Sequence, residues 1–379
     1  MGFIVYIKSP EEAGDYFFKG IMAIEALKVP VSQAIAAYPL RWRSRIYAIF
    51  GLVVVLLVVI MVTSLVGSTD IPLSTIVTVM LSKLPFLHID QTWSSNIEII
   101  IFDIRLPRIL LAALVGAALA VAGATYQGLF RNPLADPLLI GVSQGAGLGA
   151  IIGFMLPAVL QITSIPILAF TGAVSAIAVV YMIAKVGRSL PMTTLILAGV
   201  ALGAFLQAIS SYLMLASGDR LHGIISWLLG TLSLTTWSQV FAVIPYIFAG
   251  LLTIYLFARP LNVMQLDEEQ AQQLGINVEQ VKLILLAAAT LITAAAVSFC
   301  GIIGFVGIII PHAVRLIWGP DYRFLLPLAT VSGAIFLILA DTAARTVIAP
   351  TEIPVGAITA FFGAPFFLYL LRQKKRAVF

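Results

Sequence analysis

The residues of this chain most able to do chemistry are a few charged groups set at the edges of long apolar runs. Arg105 and Arg108 bracket a Leu-Pro pair in "RLPR", and Arg345 closes "ADTAAR" (340–345), with Asp341 and Glu352 around the same turn. A guanidinium offers a planar fork of donors that pairs bidentately with a carboxylate. The three arginines could therefore grip acids on a soluble partner or substrate. The same long side chains could instead snorkel and anchor the ends of membrane helices.

A second polar stretch, "RPLNVMQLDEEQAQQLGINVEQ" (259–280), interrupts the apolar pattern. Asp267 is placed to cap a short helix, with Gln270 three residues on completing a capping-box pattern. Glu268 and Glu269 suit the positive end of that helix, and Gly275 suits its stop. Ala271 and Leu274 would form a small apolar face. Such a helix over 266–276 fits a groove on another protein, or is an ordinary solvated loop helix. A third stretch, "RNPLADP" (131–137), places Pro133 and Pro137 between two apolar runs. Each proline fixes φ and breaks a helix, so this heptapeptide is a stiff turn.

Other chemistries find no residues to perform them. His88, His222 and His312 stand far apart and lack metal-ligand spacing, and Cys300 is a single cysteine in an apolar run. No GxxxxGK[ST] phosphate loop occurs, nor a Ser/His/Asp or paired-carboxylate arrangement, so the reading is not an enzyme and carries no metal. If the chain drives transport uphill, the energy comes from a partner. No ionisable residue lies near the middle of an apolar run, which argues against an ion- or proton-coupled secondary transporter, the alternative reading.

The elements that hold these residues follow from composition. Of 379 residues, 61% are hydrophobic and 10% charged, against about 25% charged in a soluble domain. Apolar runs at about 46–66, 106–129, 138–157, 163–186, 191–215, 238–258, 281–300, 302–318, 324–342 and 355–371 mostly reach the roughly 18 residues of a spanning segment. Backbone groups in lipid must be satisfied internally, so these runs are helices. The region 67–104, with Pro72, Pro85 and Trp93, reads as an external loop with short surface helices. The segment 281–318 is the least certain division, pivoting on "CGIIGFVG". With the N-terminus inside, 17 of the 22 Lys and Arg fall on the inner side, and Lys83, Arg105, Arg108, Arg220 and Arg345 on the outer. That asymmetry fixes both termini as cytoplasmic. Residues 1–45 lack a cleavable-signal pattern and read as a cytoplasmic extension of unassigned role, with 46–379 the membrane domain. The net charge of +5 belongs to this loop asymmetry and not to nucleic-acid binding.

Residues 105–147, "RLPRILLAALVGAALAVAGATYQGLFRNPLADPLLIGVSQGAG", closely resemble the second-to-third-span signature of the FecCD/BtuC-type permeases. These are membrane subunits of type II ABC importers for iron chelates, haem and cobalamin. "LAGVALGA" (197–204), "ISWLLGTLS" (225–233), "LDEEQAQQLGI" (266–276), "GFVGIIIPHAVRLIWGPDYRFLLP" (304–327), "ADTAAR" and "EIPVGAITAFFGAPFFLYLL" (352–371) match in order, so the resemblance covers about 46–373. It implies an all-α fold of ten transmembrane helices in a prokaryotic cell (inner or cytoplasmic) membrane. It also implies a homodimer, two cytoplasmic ATPases that bind the ATP and Mg, and an external substrate-binding protein. The expected substrate is a metal chelate, ferric siderophore first, cobalamin or haem next. By the same resemblance, Arg105, Arg108 and Arg345 match binding-protein docking positions, and Asn132 and Leu134 belong to a cytoplasmic gate. Thr193 in "PMTT" matches a second constriction. Asp267, Glu268, Glu269, Gln270, Ala271, Leu274 and Gly275 lie in the segment that couples to the ATPase.

Overall fold

A computed structural model describes residues 31–67, 72–82 and 93–378. Most of the expected N-terminal extension, together with Lys83, Pro85 and His88, lies outside the described residues. The chain divides into two compact units, Met1–Phe50 and Gly51–Phe379. The described part of the first belongs to helix α1, Val31–Leu65, and everything below concerns the second.

After α1 come α2 (Leu73–Ser82) and α3 (Ser95–Ile99). A π-helical stretch, Ile100–Arg105, then leads without a break into α4 (Leu106–Leu129). A 3-10 turn at Pro137–Ile140 precedes α5 (Val142–Met155), α6 (Ala158–Ala184), α7 (Met192–Ala216) and α8 (Leu221–Leu228). The rest are α9 (Trp237–Leu256), α10 (Ala258–Val263), α11 (Glu268–Gln273), α12 (Val278–Cys300), α13 (Val306–Trp318), α14 (Tyr322–Thr346) and α15 (Val355–Val378).

Among the described residues, seven helices are long and apolar enough to cross a membrane, and α5, α13 and Val355–Leu368 are shorter apolar helices. Each of the ten apolar runs read from the sequence is helical. The uncertain division at 281–318 resolves as two helices parted by the non-helical residues 301–305, with Gly301 at φ 70° and Phe305 at φ 68°.

The largest departure from expectation is at 67–104. Ile76, Val79 and Ile101 are fully buried, with Leu65, Trp93, Ile97, Ile100 and Phe102 packed around them. The described part of this region has a small core of its own, because α2 presents an apolar face toward the head of the next span. That span also starts earlier than expected, at Ser95. The π stretch ends two residues before Pro107. Proline removes a donor and crowds the preceding turn, and a wider turn gives its ring room.

Most of α4, α12 and α14 is enclosed by other helices, whereas residues 51–62 of α1 are largely exposed. Helix association in lipid has little hydrophobic drive and depends on close backbone approach. Here α4 crosses α14 at Gly116 and Gly333, where a Cβ on either would overlap the other's carbonyl. The glycine-rich α5 meets α6 the same way at Gly145 and Gly172. Helix α4 thus runs antiparallel to α14, with Arg108 beside Asp341 at one end and Gly128 beside Tyr322 at the other.

Candidate functional site

The charged residues singled out by the sequence collect at the two ends of α4. At the head of α4, all three arginines turn inward. Arg105, 4% exposed, donates to the carbonyls of Ser64 (2.6 Å) and Leu65 (3.1 Å). Arg345 donates to the Thr63 carbonyl at 3.1 Å. These are last-turn carbonyls of α1, which lack helical partners and carry the negative end of its dipole.

Arg108, 8% exposed, binds two acids. Its Nε and Nη2 donate to Asp341 at 2.9–3.1 Å, and its Nη1 and Nη2 donate to Glu352 at 2.9 and 3.1 Å. Glu352 also accepts from the Ser233 hydroxyl. Burial alone would push the Glu352 carboxyl up. The Arg108 guanidinium and the Ser233 hydroxyl outweigh it and hold the group below the usual glutamate range. The Glu352 side chain is 38% exposed, while that of Asp341 is 2%. The sequence grouped Asp341, Arg345 and Glu352 around one turn but gave no sign that the acids would neutralise Arg108.

At the tail of α4, "RNPLADP" forms a tight closure. Arg131 takes a left-handed φ of 49°. Its N–H bonds the Gly128 carbonyl and the Asn132 N–H bonds that of Gln127, the paired closure that ends many helices. Asn132 Oδ1 accepts from the Leu134 N–H at 3.0 Å, and Asp136 Oδ1 from the Leu138 N–H at 2.8 Å. Every polar side chain in the turn but arginine therefore binds its own backbone. Burial lifts the Asp136 carboxyl to about 6, against the pull of the Leu138 N–H. Asn132 is exposed and Leu134 half-buried. The following 3-10 turn packs on α7, where a Cβ at Gly199 would press on Ile140. Thr193 is exposed in the first turn of that helix.

Arg131 reaches across to the polar stretch. Its Nε donates to the Met264 carbonyl at 2.9 Å, and its Nη1 lies 3.4 Å from Asp267 Oδ1. The expected capping box is not formed: Asp267 occupies the cap position but makes no side-chain cap bond, because its carboxylate turns to Arg131. Gly275 (φ 83°) closes α11, with its N–H on the Gln272 carbonyl and the Ile276 N–H on that of Ala271. Ala271 and Leu274 do not share a face. Ala271 is fully buried, while Leu274 is 65% exposed and points away from the chain, and Glu268, Glu269 and Gln270 are exposed around it.

Two residues that the sequence reading did not single out join this end. Lys282 Nζ lies 2.9 Å from both Glu268 and Glu279, and Glu279 accepts from the Leu190 N–H at 2.7 Å. The spacing of Glu279 and Lys282, one helical turn apart, was the available signal. Between α5 and α7 lies a notch lined by Ser143, Gln144, Gly147, Gln207, Ser210 and Met214, none of them charged. No cluster of metal-binding side chains occurs among the described residues.

A model of the FecCD transport family matches residues 54–373. The cobalamin import system permease BtuC of Halobacterium salinarum is 49% identical over 278 residues, 73% of this chain and 74% of that protein. The hemin transport system permease HmuU of Yersinia pestis is 42% identical over 280 residues, 72% and 84% of the two chains. The Fe(3+) dicitrate transport system permease FecD of Escherichia coli is 37% identical over 289 residues, 76% and 90%. A solved structure described as an inward-facing metal-chelate type ABC transporter aligns with a TM-score of 0.75 at 29% identity, covering 86% of this chain and 98% of that one.

Proposed function

The chain belongs to the FecCD transport family, and on that premise we propose that it is the membrane subunit of an ATP-driven importer of a metal chelate. Relatives named for cobalamin, hemin and ferric citrate support that substrate class. Ferric siderophore is the first choice, with cobalamin and haem close behind. The nucleotide chemistry belongs to a separate ATPase on the cytoplasmic side, where both termini also lie. A loaded external binding protein docks at the opposite end, over Arg105, Arg108 and Arg345. Since those guanidiniums are engaged within the chain, an incoming carboxylate would exchange with an internal acceptor, and Glu352 is the more accessible one at Arg108. Two copies form the pathway between them. Asn132, Leu134 and Thr193 narrow its inner mouth, and an uncharged wall such as the α5–α7 notch lets a large chelate pass without being held.

The observation that carries this reading is α11. A short helix with three acids at its start, exposed apart from Ala271 and tipped by an exposed leucine, matches what a groove on a soluble ATPase would receive. Leu274→Asp should leave the permease folded and dimeric yet abolish co-purification of its co-expressed ATPase. Undiminished co-purification would remove α11 as the contact.

A further inference from the structure

Lys282 is 2% exposed and joins its own helix to α11 just before it and to a loop 92 positions away in sequence. Its Nζ lies 2.9 Å from Glu268 Oε2 on α11, 2.9 Å from Glu279 Oε1 one turn back on α12, and 3.4 Å from the Leu190 carbonyl. Glu279 Oε2 in turn accepts from the Leu190 N–H at 2.7 Å. The backbone of Leu190 is therefore held at its N–H by a carboxylate and at its carbonyl by an ammonium. Leu190 directly precedes Pro191, and Thr193 follows in the first turn of α7.

A buried amine is costly to desolvate, and an apolar side chain of similar volume often stabilises such a site as well or better. Stability therefore gives little reason for a lysine here. What the ion triad does achieve is geometric: it ties α11 to the loop 186–191 that leads into α7. The Arg131–Asp267 pair at the start of α11 is exposed, and such pairs hold weakly.

We propose that the Glu268–Lys282–Glu279 triad is the positioning linkage through which α11 sets the 186–191 loop and, with it, the first turn of α7. This rests on the functional reading above. If α11 moves while the loop stays, Lys282 loses one carboxylate and remains buried. The contact therefore makes displacement of α11 and rearrangement of the loop a single event, biased by whatever grips α11. Lys282 touches no substrate in this scheme; it acts through Leu190.

The test uses the complete permease with its co-expressed ATPase in lipid nanodiscs, in a Cys300→Ser background carrying Thr193→Cys. A fluorescent maleimide labels the introduced thiol with and without ATP plus vanadate. The parent complex should show labelling rates that differ by about fivefold or more between the two conditions. Lys282→Met should retain the ATPase but bring the ratio to about 1, and Lys282→Arg should recover part of it. A purely structural lysine would lower the melting temperature and leave the ratio intact, and that result overturns the linkage. If Lys282→Met does not fold, Glu279→Ala carries the same test, because it removes the acceptor of the Leu190 N–H while leaving Lys282 beside Glu268; an unchanged ratio there overturns the linkage equally. A parent complex that holds its ATPase but shows no nucleotide response also overturns it. A parent permease that recruits no ATPase overturns the functional reading itself.

Discussion

The two ends of α4 treat their cations in opposite ways. At the head, Arg108 is enclosed and saturated, with Asp341 and Glu352 each bound through two of its nitrogens. At the tail, Arg131 is exposed and holds one carbonyl and one long ion pair. Coulomb attraction is strong where water is excluded and weak where it is not, so similar side chains make a fixed joint at one end and a yielding one at the other. The difference teaches that formal charge at a helix end does not reveal its use. The guanidiniums expected to face a partner are the buried ones, and the one counted only for orientation is the one in the open.

The sharpest way to break this comparison is at Asp341. Asp341→Asn leaves Arg108 with the partly exposed Glu352 as its one remaining carboxylate, and removing one partner of a buried pair costs about 3–5 kcal/mol, here at the lower end because that second acid stays. A melting curve of the purified permease should show a large drop, and a drop no larger than that of an exposed-pair variant would erase the distinction.

A middle-sized effect is expected at Asp136 in the tail turn. Its folded-state value of about 6 lies above the ordinary aspartate value. Below about pH 3 both folded and unfolded chains carry the proton, and burial costs nothing extra. As pH rises to about 6 the unfolded chain ionises first, so stability falls by on the order of 2 kcal/mol and stays lower above that range. Asp136→Asn keeps an oxygen for the Leu138 N–H and removes the charge. It should melt higher than the parent at pH 7.5 and match it near pH 3. A constant difference across that range would mean the carboxyl is not the cause.

The smallest effect belongs to Arg131→Ala. Loss of an exposed pair and one backbone contact should cost about 0.5–1 kcal/mol, with the turn itself intact because its closure is made by backbone. If this variant instead melts as low as Asp341→Asn, the yielding joint is in truth a fixed one.

The same contrast shows what was legible in the sequence. Every apolar run is a helix, because a lipid-facing backbone has few other solutions. The stop at Gly275 and the stiffness of "RNPLADP" were readable because they are local: a left-handed glycine and side chains that bind their own backbone. Side-chain allegiance across the fold was not readable. Asp267 and Gln270 have the spacing of a capping box, yet Arg131 claims the aspartate. Thr236 and Gln239 have the same spacing, and there the glutamine does reach back to the Thr236 N–H at 3.3 Å. The cap residue differs, Asp in one and Thr in the other, and a cation arriving from 136 positions away claims the aspartate. Likewise the inward turn of Arg105 and Arg345 depends on where α1 ends, which no pattern around "RLPR" encodes.

The glycine crossing of α4 and α14 has a mechanical consequence. With backbone against backbone at Gly116 and Gly333, the pair has no side-chain cushion to shear, so neither rod can slide along its neighbour without a steric collision. The 24 residues of α4 extend about 36 Å at 1.5 Å each, with the saturated arginine at one tip and the "RNPLADP" turn at the other. A torque applied at either tip is delivered to the far one as tilt, in the manner of a stiff oar pivoting on its lock.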